Sequence, residues 1–247
     1  MSDAEELKEA AGQARRLVRQ MQRQGVTHVP GAGRPIVSAE QGASNDLRAV
    51  PAPSPGTGHS GTHKETALEP VRLQAMDCRL CKLCQGRHSV VFGDGSLDAR
   101  LVFVGEGPGR DEDAQGVPFV GAAGQLLNKI ITAMKMARSE VYICNIVKCR
   151  PPNNRPPEPD EVAACMPYLE QQLAVIRPKV ICALGKTAAS ALLETEAPMG
   201  SLRGRVFERN GTPLVVTYHP AYLLRNPAAK KDVWEDMQKV MAILKGE

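Results

Sequence analysis

From about residue 71 onward, apolar positions alternate between short unbroken runs and helical spacing. Leu101-Val-Phe-Val104 is wholly apolar and stops at Gly105, the pattern of a strand buried on both faces. Residues 122–136 set Leu126, Leu127, Ile130, Ile131 and Met134 on one side of a helix. Val141-Tyr-Ile-Cys-Asn-Ile-Val147 reads as the second strand. Residues 159–176 read as a second helix, opened by Pro159 and an acidic first turn. Val180-Ile-Cys-Ala-Leu184 is a third strand ending in Gly185, with a helix over 186–194 after it. Val206-Phe207 and Leu214-Val-Val216 flank Asn210-Gly211, a strong hairpin-turn signal, and the last strand ends at His219-Pro220. Residues 229–245 form a closing amphipathic helix through Val233, Met237, Val240, Met241 and Leu244.

This repetition predicts an α/β fold with three α/β/α layers around a mostly parallel sheet of about four strands. Such sheets bind ligands beyond the carboxyl ends of their strands. Gly105-Glu106-Gly107-Pro108-Gly109, Asn145 to Lys148, Gly185-Lys186 and the segment from His219 should therefore converge. The glycine loop lacks the Gly-x-x-x-x-Gly-Lys-Ser/Thr pattern of a P-loop.

The chain before this differs. Residues 1–24 are expected to form a helix, with Leu7, Ala11, Ala14, Val18 and Met21 on a thin apolar face. Residues 25–70 are rich in Gly, Pro, Ser and Thr and read as a disordered linker, most clearly at Pro51-Ala-Pro-Ser-Pro-Gly-Thr-Gly. The main domain is then 71–247. A tail on a flexible linker suits tethering of a protein partner.

Composition narrows the picture. Of 247 residues, 43% are hydrophobic but only 4% aromatic, so the core must be Leu, Val, Ile and Ala. The net charge of +4 suits an anionic partner such as nucleic acid without demanding one. No apolar run approaches the ~18 residues of a membrane span, and the acidic N-terminus lacks a signal core. A cytoplasmic protein is expected, and there the seven cysteines are poorly explained as disulfides. Cys78-x-x-Cys81, Cys149 and Cys165 can together supply four thiolates for zinc or an iron–sulfur cluster. Cys84 extends the first pair to C-x-x-C-x-x-C, and by spacing it could replace any of the four. Cys144 and Cys182 lie inside apolar strands as small buried fillers.

Several long motifs occur in order: Val91-Phe-Gly-Asp-Gly, Gly105-Glu-Gly-Pro-Gly with Glu112-Asp113, Pro118-Phe119-Val-Gly, Asn145-Ile-Val-Lys-Cys-Arg-Pro-Pro152 and His219-Pro-Ala-Tyr-Leu-Leu-Arg-Asn-Pro227. In these the chain resembles the family 4 uracil-DNA glycosylases, over residues 75 to 245. The resemblance implies a monofunctional enzyme that excises uracil from single- or double-stranded DNA. It also implies a [4Fe-4S] cluster on Cys78, Cys81, Cys149 and Cys165, with Cys84 a non-ligand and zinc the minority alternative. The cluster is expected to be structural and the protein a monomer. The rival readings are a glycosylase for another deaminated or mismatched base, a catalytically inactive DNA-binding iron–sulfur protein, and an electron carrier.

For such a reaction the converging residues supply suitable groups. Asn145 offers an amide to uracil N3–H and O4, Phe119 a stacking face, and His219 a hydrogen bond to O2. Glu106 and the backbone around Gly105 and Gly107 would position water; Gly107 stands where relatives outside this branch carry Asp. Asp111 and Glu112 are candidates for lining the pocket against a 5-methyl group. Leu224 and Arg225 suit insertion into DNA, and Lys148, Arg150 and Arg155 are candidates for phosphate contact. Plainer roles remain open on the sequence: a core Phe119, an Asn145 that satisfies a strand end, a solvent-facing His219.

Overall fold

A computed structural model of the protein describes residues 60–246. The expected helix over 1–24 and most of the expected linker lie outside the described residues. Strands β1 (Asp94–Gly95), β2 (Leu101–Gly105), β3 (Tyr142–Asn145), β4 (Val180–Leu184), β5 (Val206–Arg209) and β6 (Thr212–Thr217) form one sheet in the order β1-β3-β2-β4-β6-β5. The four central strands are parallel, as the alternation predicts. The two edges are antiparallel additions. One closes the expected hairpin, where Asn210 and Gly211 take φ of 48° and 78°, the left-handed pair that a two-residue turn requires. The other, β1, has no apolar signature and pairs Asp94 with Ile143.

Each central strand is buried on both faces because its alternate residues serve different layers. Leu101, Phe103, Ile143, Cys182 and Val215 pack with helix α3 (Ala122–Ala133) and helix α8 (Lys230–Lys245) through Leu127, Ile131, Val233 and Met237. Val102, Val104, Cys144, Ile181 and Val216 face the opposite way. There they pack with α1 (Ser60–Met76), α4 (Pro159–Ile176) and α5 (Lys186–Leu193). Three short helices complete the fold: α2 (Arg110–Gln115), α6 (Met199–Leu202) and α7 (Pro220–Arg225). Among the described residues, no helix is long and apolar enough to cross a membrane.

Helix α1 corrects one boundary. Residues 60–70, read as linker, are helical, and Leu68, Val71 and Ala75 bury one face in the core. Lys64 adds a tether, donating to the carbonyls of Leu97 and Ile176 at 3.1 and 3.0 Å and pairing with Asp98. Pro70, normally a helix breaker, and the polar composition of the stretch conceal this face in the sequence. A chain beginning at residue 71 is therefore expected to be less stable than one beginning at residue 60. The loss of Leu68 burial alone should cost about 2 kcal/mol. Equal urea midpoints for the two chains would show that residues 60–70 contribute nothing.

Candidate active site

The register of the parallel strands creates the site. Gly105 ends β2 beside Asn145 at the end of β3. A Cβ on Gly105 would overlap Asn145 Oδ1 and stand 2.6 Å from Phe119 Cζ. Its φ is unexceptional, so glycine is required here for space. The strand ends open onto a cavity of about 520 Å³ lined by Glu106, Gly107, Phe119, Asn145 and His219, with Arg225 among the other walls. Five side chains or loop positions read from the sequence thus share one cavity. Leu224 is 49% exposed on α7, outside that lining.

Asn145 is 1% exposed, and its Oδ1 has no hydrogen-bond partner within the protein. A buried amide oxygen left unpaired costs roughly 1–3 kcal/mol. That cost is recovered when a ligand N–H donates to it. Phe119 is 6% exposed, and its ring centroid lies 5.5 Å from that of His219. Its φ of 54° is left-handed, a strain of order 1 kcal/mol for a non-glycine residue.

His219 caps α7, and its Nδ1 accepts from the Ala221 amide at 3.1 Å. A neutral ring must then carry its proton on Nε2. Burial depresses the imidazole to about 4; Arg225 acts in the same direction, while Glu112 opposes both. The ring is thus a neutral donor at pH 7. Glu106 accepts a hydrogen bond from Thr187 Oγ1 at the start of α5. Glu112 has its oxygens committed: Gly109, Val120 and Gly121 donate backbone N–H groups to it at 3.1, 2.9 and 3.0 Å. It lines the cavity while bracing the glycine loop against the Phe119 loop. Asp111 is half exposed and pairs with Arg110.

Of the three basic phosphate candidates, Lys148 is placed otherwise than expected, while Arg155 lines the cavity. Lys148 is 1% exposed and donates from Nζ to Asn145 O and Gln172 Oε1 at 2.9 and 2.5 Å, so it cannot reach a phosphate. Arg155 is engaged by Glu161 through both guanidinium nitrogens and by Glu158. Arg150 bonds Asn154 on the surface. Thr187, the partner of Glu106, was not read from the sequence; only its position just past a strand-ending glycine pointed to it.

On the α4 side, Cys78, Cys81, Cys84, Cys149 and Cys165 line a separate small apolar pocket. None is in a disulfide. Arg87 Nη1 donates to Cys149 Sγ at 3.2 Å and to Cys78 O at 2.8 Å. The Lys148 amide donates to Cys165 Sγ at 3.2 Å. Burial raises the thiols of Cys81, Cys149 and Cys165, the last to about 11. Among the described residues no three His, Cys, Asp or Glu side chains group tightly enough for a single ion. The donor set is thiol, enclosed, and already supplied with N–H donors to sulfur. Those are the conditions under which iron–sulfur clusters are held.

The state of His219 is directly measurable. Its ring nitrogens, followed by NMR from pH 3.5 to 8, should show the Nε2–H tautomer throughout the neutral range and protonation centred near 4. Because the folded state holds the ring neutral below its ordinary 6.5, this group's contribution to stability is complete above that pH. It is lost as pH falls toward 4. A midpoint at or above 6.5 would contradict the neutral-donor assignment.

A family model described as the uracil DNA glycosylase superfamily matches residues 92–238. The type-4 uracil-DNA glycosylase of Thermotoga maritima is 44% identical over 188 residues, which is 74% of this chain and 98% of that protein. The type-4 enzyme of Sulfurisphaera tokodaii is 43% identical, over 70% of this chain and 83% of its own length. That of Saccharolobus solfataricus is 42% identical, over 72% and 86%. Similarity at this level, spanning most of each of those proteins, makes the chain a member of the uracil-DNA glycosylase superfamily, in its type-4 family.

Proposed function

We propose that the protein excises uracil from DNA by hydrolysing the N-glycosidic bond, leaving an abasic site for base excision repair. The observation that carries this reading is the buried, unpartnered Oδ1 of Asn145 beside Phe119 and His219. A base inside the duplex is unreachable, so the uridine must be extruded into the cavity. There Phe119 stacks on the ring. Asn145 Oδ1 accepts from N3–H while its Nδ2 donates to O4. Cytosine has an unprotonated N3 and an amino group at these positions, so it meets acceptor with acceptor and donor with donor. As the glycosidic bond breaks, negative charge moves onto the base, and the Nε2–H of His219 stabilises it at O2. A fixed neutral donor suits a developing anion that would otherwise take a proton from an imidazolium.

Water then adds to the cation-like sugar carbon. Glu106, aimed by Thr187, orients that water. Gly107 lets the loop pack closely on the segment after β3, since a Cβ there would stand 2.8 Å from Val147 Cγ2. Glu112 borders the cavity and restricts room beside the base. Leu224, exposed at the end of α7 with Arg225 beside it, is suited to occupy the gap left in the duplex.

The same proposal gives the protein a [4Fe-4S] cluster on Cys78, Cys81, Cys149 and Cys165. The donor chemistry of their pocket and the N–H groups aimed at Cys149 and Cys165 support it. Bound there, the cluster supplies a rigid cross-link between the turn after α1, the segment after β3, and α4. The reading further takes the protein as a cytoplasmic monomer acting from the domain that begins at α1. The chain before α1 serves as a tail for a protein partner.

Purified holoprotein incubated with oligonucleotides bearing one uracil, then treated with alkali, should give strand cleavage at that position. Intact strands would sink the assignment, and cleavage only at hypoxanthine would replace it with another base. Asn145→Asp, which removes the amide donor, should lower uracil excision by ~100-fold or more. Wild-type rates in that variant would remove Asn145 from recognition. The wild-type protein should also absorb visible light and carry about four irons, with both reduced in Cys165→Ser, whose hard hydroxyl replaces a soft ligand. Stoichiometric zinc and no visible band would instead identify a zinc site.

A further inference from the structure

Phe119 stands at the cavity wall on a left-handed backbone, so the surrounding structure must over-determine its loop. The contacts that do this come from two side chains, Arg138 and Glu112. Arg138, in the turn before β3, donates from Nη2 to Pro118 O at 2.6 Å and from Nη1 to Phe119 O at 3.2 Å. The same guanidinium is anchored behind the loop by Asn128 Oδ1 at 2.9 Å and Asp94 Oδ2 at 3.3 Å. Glu112 holds the amides of the next two residues, Val120 and Gly121. The loop thus has two successive carbonyls on a cation and two successive amides on an anion. Gly124 completes the seat, because a Cβ there would overlap the Phe119 carbonyl group. Arg138 does not itself line the cavity.

We propose that Arg138 is a positioning residue for base binding: by gripping the Pro118 and Phe119 carbonyls from an Asp94–Asn128 anchor, it holds the Phe119 ring where an extruded base must stack. This rests on the reading of the cavity as a uracil site. The guanidinium takes its anchors from edge strand β1, through Asp94, and from α3, through Asn128, and delivers its remaining donor capacity to the two carbonyls of the Phe119 loop. The planar fork is what allows two adjacent carbonyls and two anchors to be met at once.

The test is a double-mutant cycle on the holoprotein. Single-turnover excision from a uracil oligonucleotide, inhibition by free uracil and affinity for undamaged DNA are measured for wild type, Arg138→Gln, Phe119→Ala and the double variant. Arg138→Gln should lower excision on the order of 10-fold and weaken inhibition by free uracil, with undamaged-DNA affinity unchanged. In the Phe119→Ala background it should add almost nothing, the signature of strong coupling. Arg138→Lys, which keeps one donor, should recover part of the loss. Asn128→Ala loosens the same guanidinium more mildly and keeps the test decisive if Arg138→Gln does not fold: its smaller loss should also vanish without Phe119. Equal losses with and without Phe119, or wild-type behaviour of both variants, would overturn the positioning role. An inactive wild-type protein would instead overturn the uracil reading, and this inference with it.

Discussion

Parallel pairing sets Gly105 at the end of β2 directly beside Asn145 at the end of β3, and Asn145 and Phe119 can approach each other there because no side chain grows from Gly105. Any larger residue would occupy the space in which the Asn145 amide and the Phe119 ring meet. The remaining parts of the site answer to that pair. His219 arrives from the end of β6 with its tautomer set by the Ala221 amide. Glu106, one residue beyond the glycine, is turned by Thr187. The site is thus an outcome of strand register in the core as much as of the residues in it.

Most of the fold was legible because its central strands bury both faces and so appear as unbroken apolar runs. The strand that escaped, β1, is two residues long and joins the sheet through backbone pairing, which leaves no side-chain signature. Helix α1 escaped because its apolar face is thin and interrupted by Pro70. In the site, Asn145, Phe119, Glu106 and His219 could be located from strand ends and motif order. Arg138 and Thr187 could not, since their partners lie 20 and 81 residues away in sequence and depend on loop conformation. Lys148 misled for a different reason. A lysine in a basic stretch reads as surface charge, yet this one has found enough acceptors to be buried.

That buried lysine links the two sites. Its Nζ holds the Asn145 carbonyl, its amide donates to Cys165 Sγ, and Cys149 follows it. Gln172 of α4 extends the same network to Tyr142 and the Phe92 carbonyl. The segment that carries Asn145 is therefore tied through hydrogen bonds to α4 and to the cysteine pocket. Networks of this kind act as a unit when fully satisfied, so a disturbance among the thiols has a short path to the Asn145 segment without lying in the cavity.

Asn145 Oδ1 is one of four buried side-chain polar atoms without a partner among the described residues, with Ser190 Oγ, Arg209 Nε and Asp236 Oδ1, and the one of them whose residue lines the cavity. Selection for folding alone would favour its replacement by an apolar side chain of similar size, because the unpaired oxygen works against the native state. The residue thus stands against a stability gradient, a cost that the proposed base contact would offset. In a lineage where the enzyme became redundant, Asn145 should drift early, ahead of Gly105 or the strand residues around it, whose loss would damage the core. The identity of this one position in related chains is in that sense a record of whether the activity is still under selection.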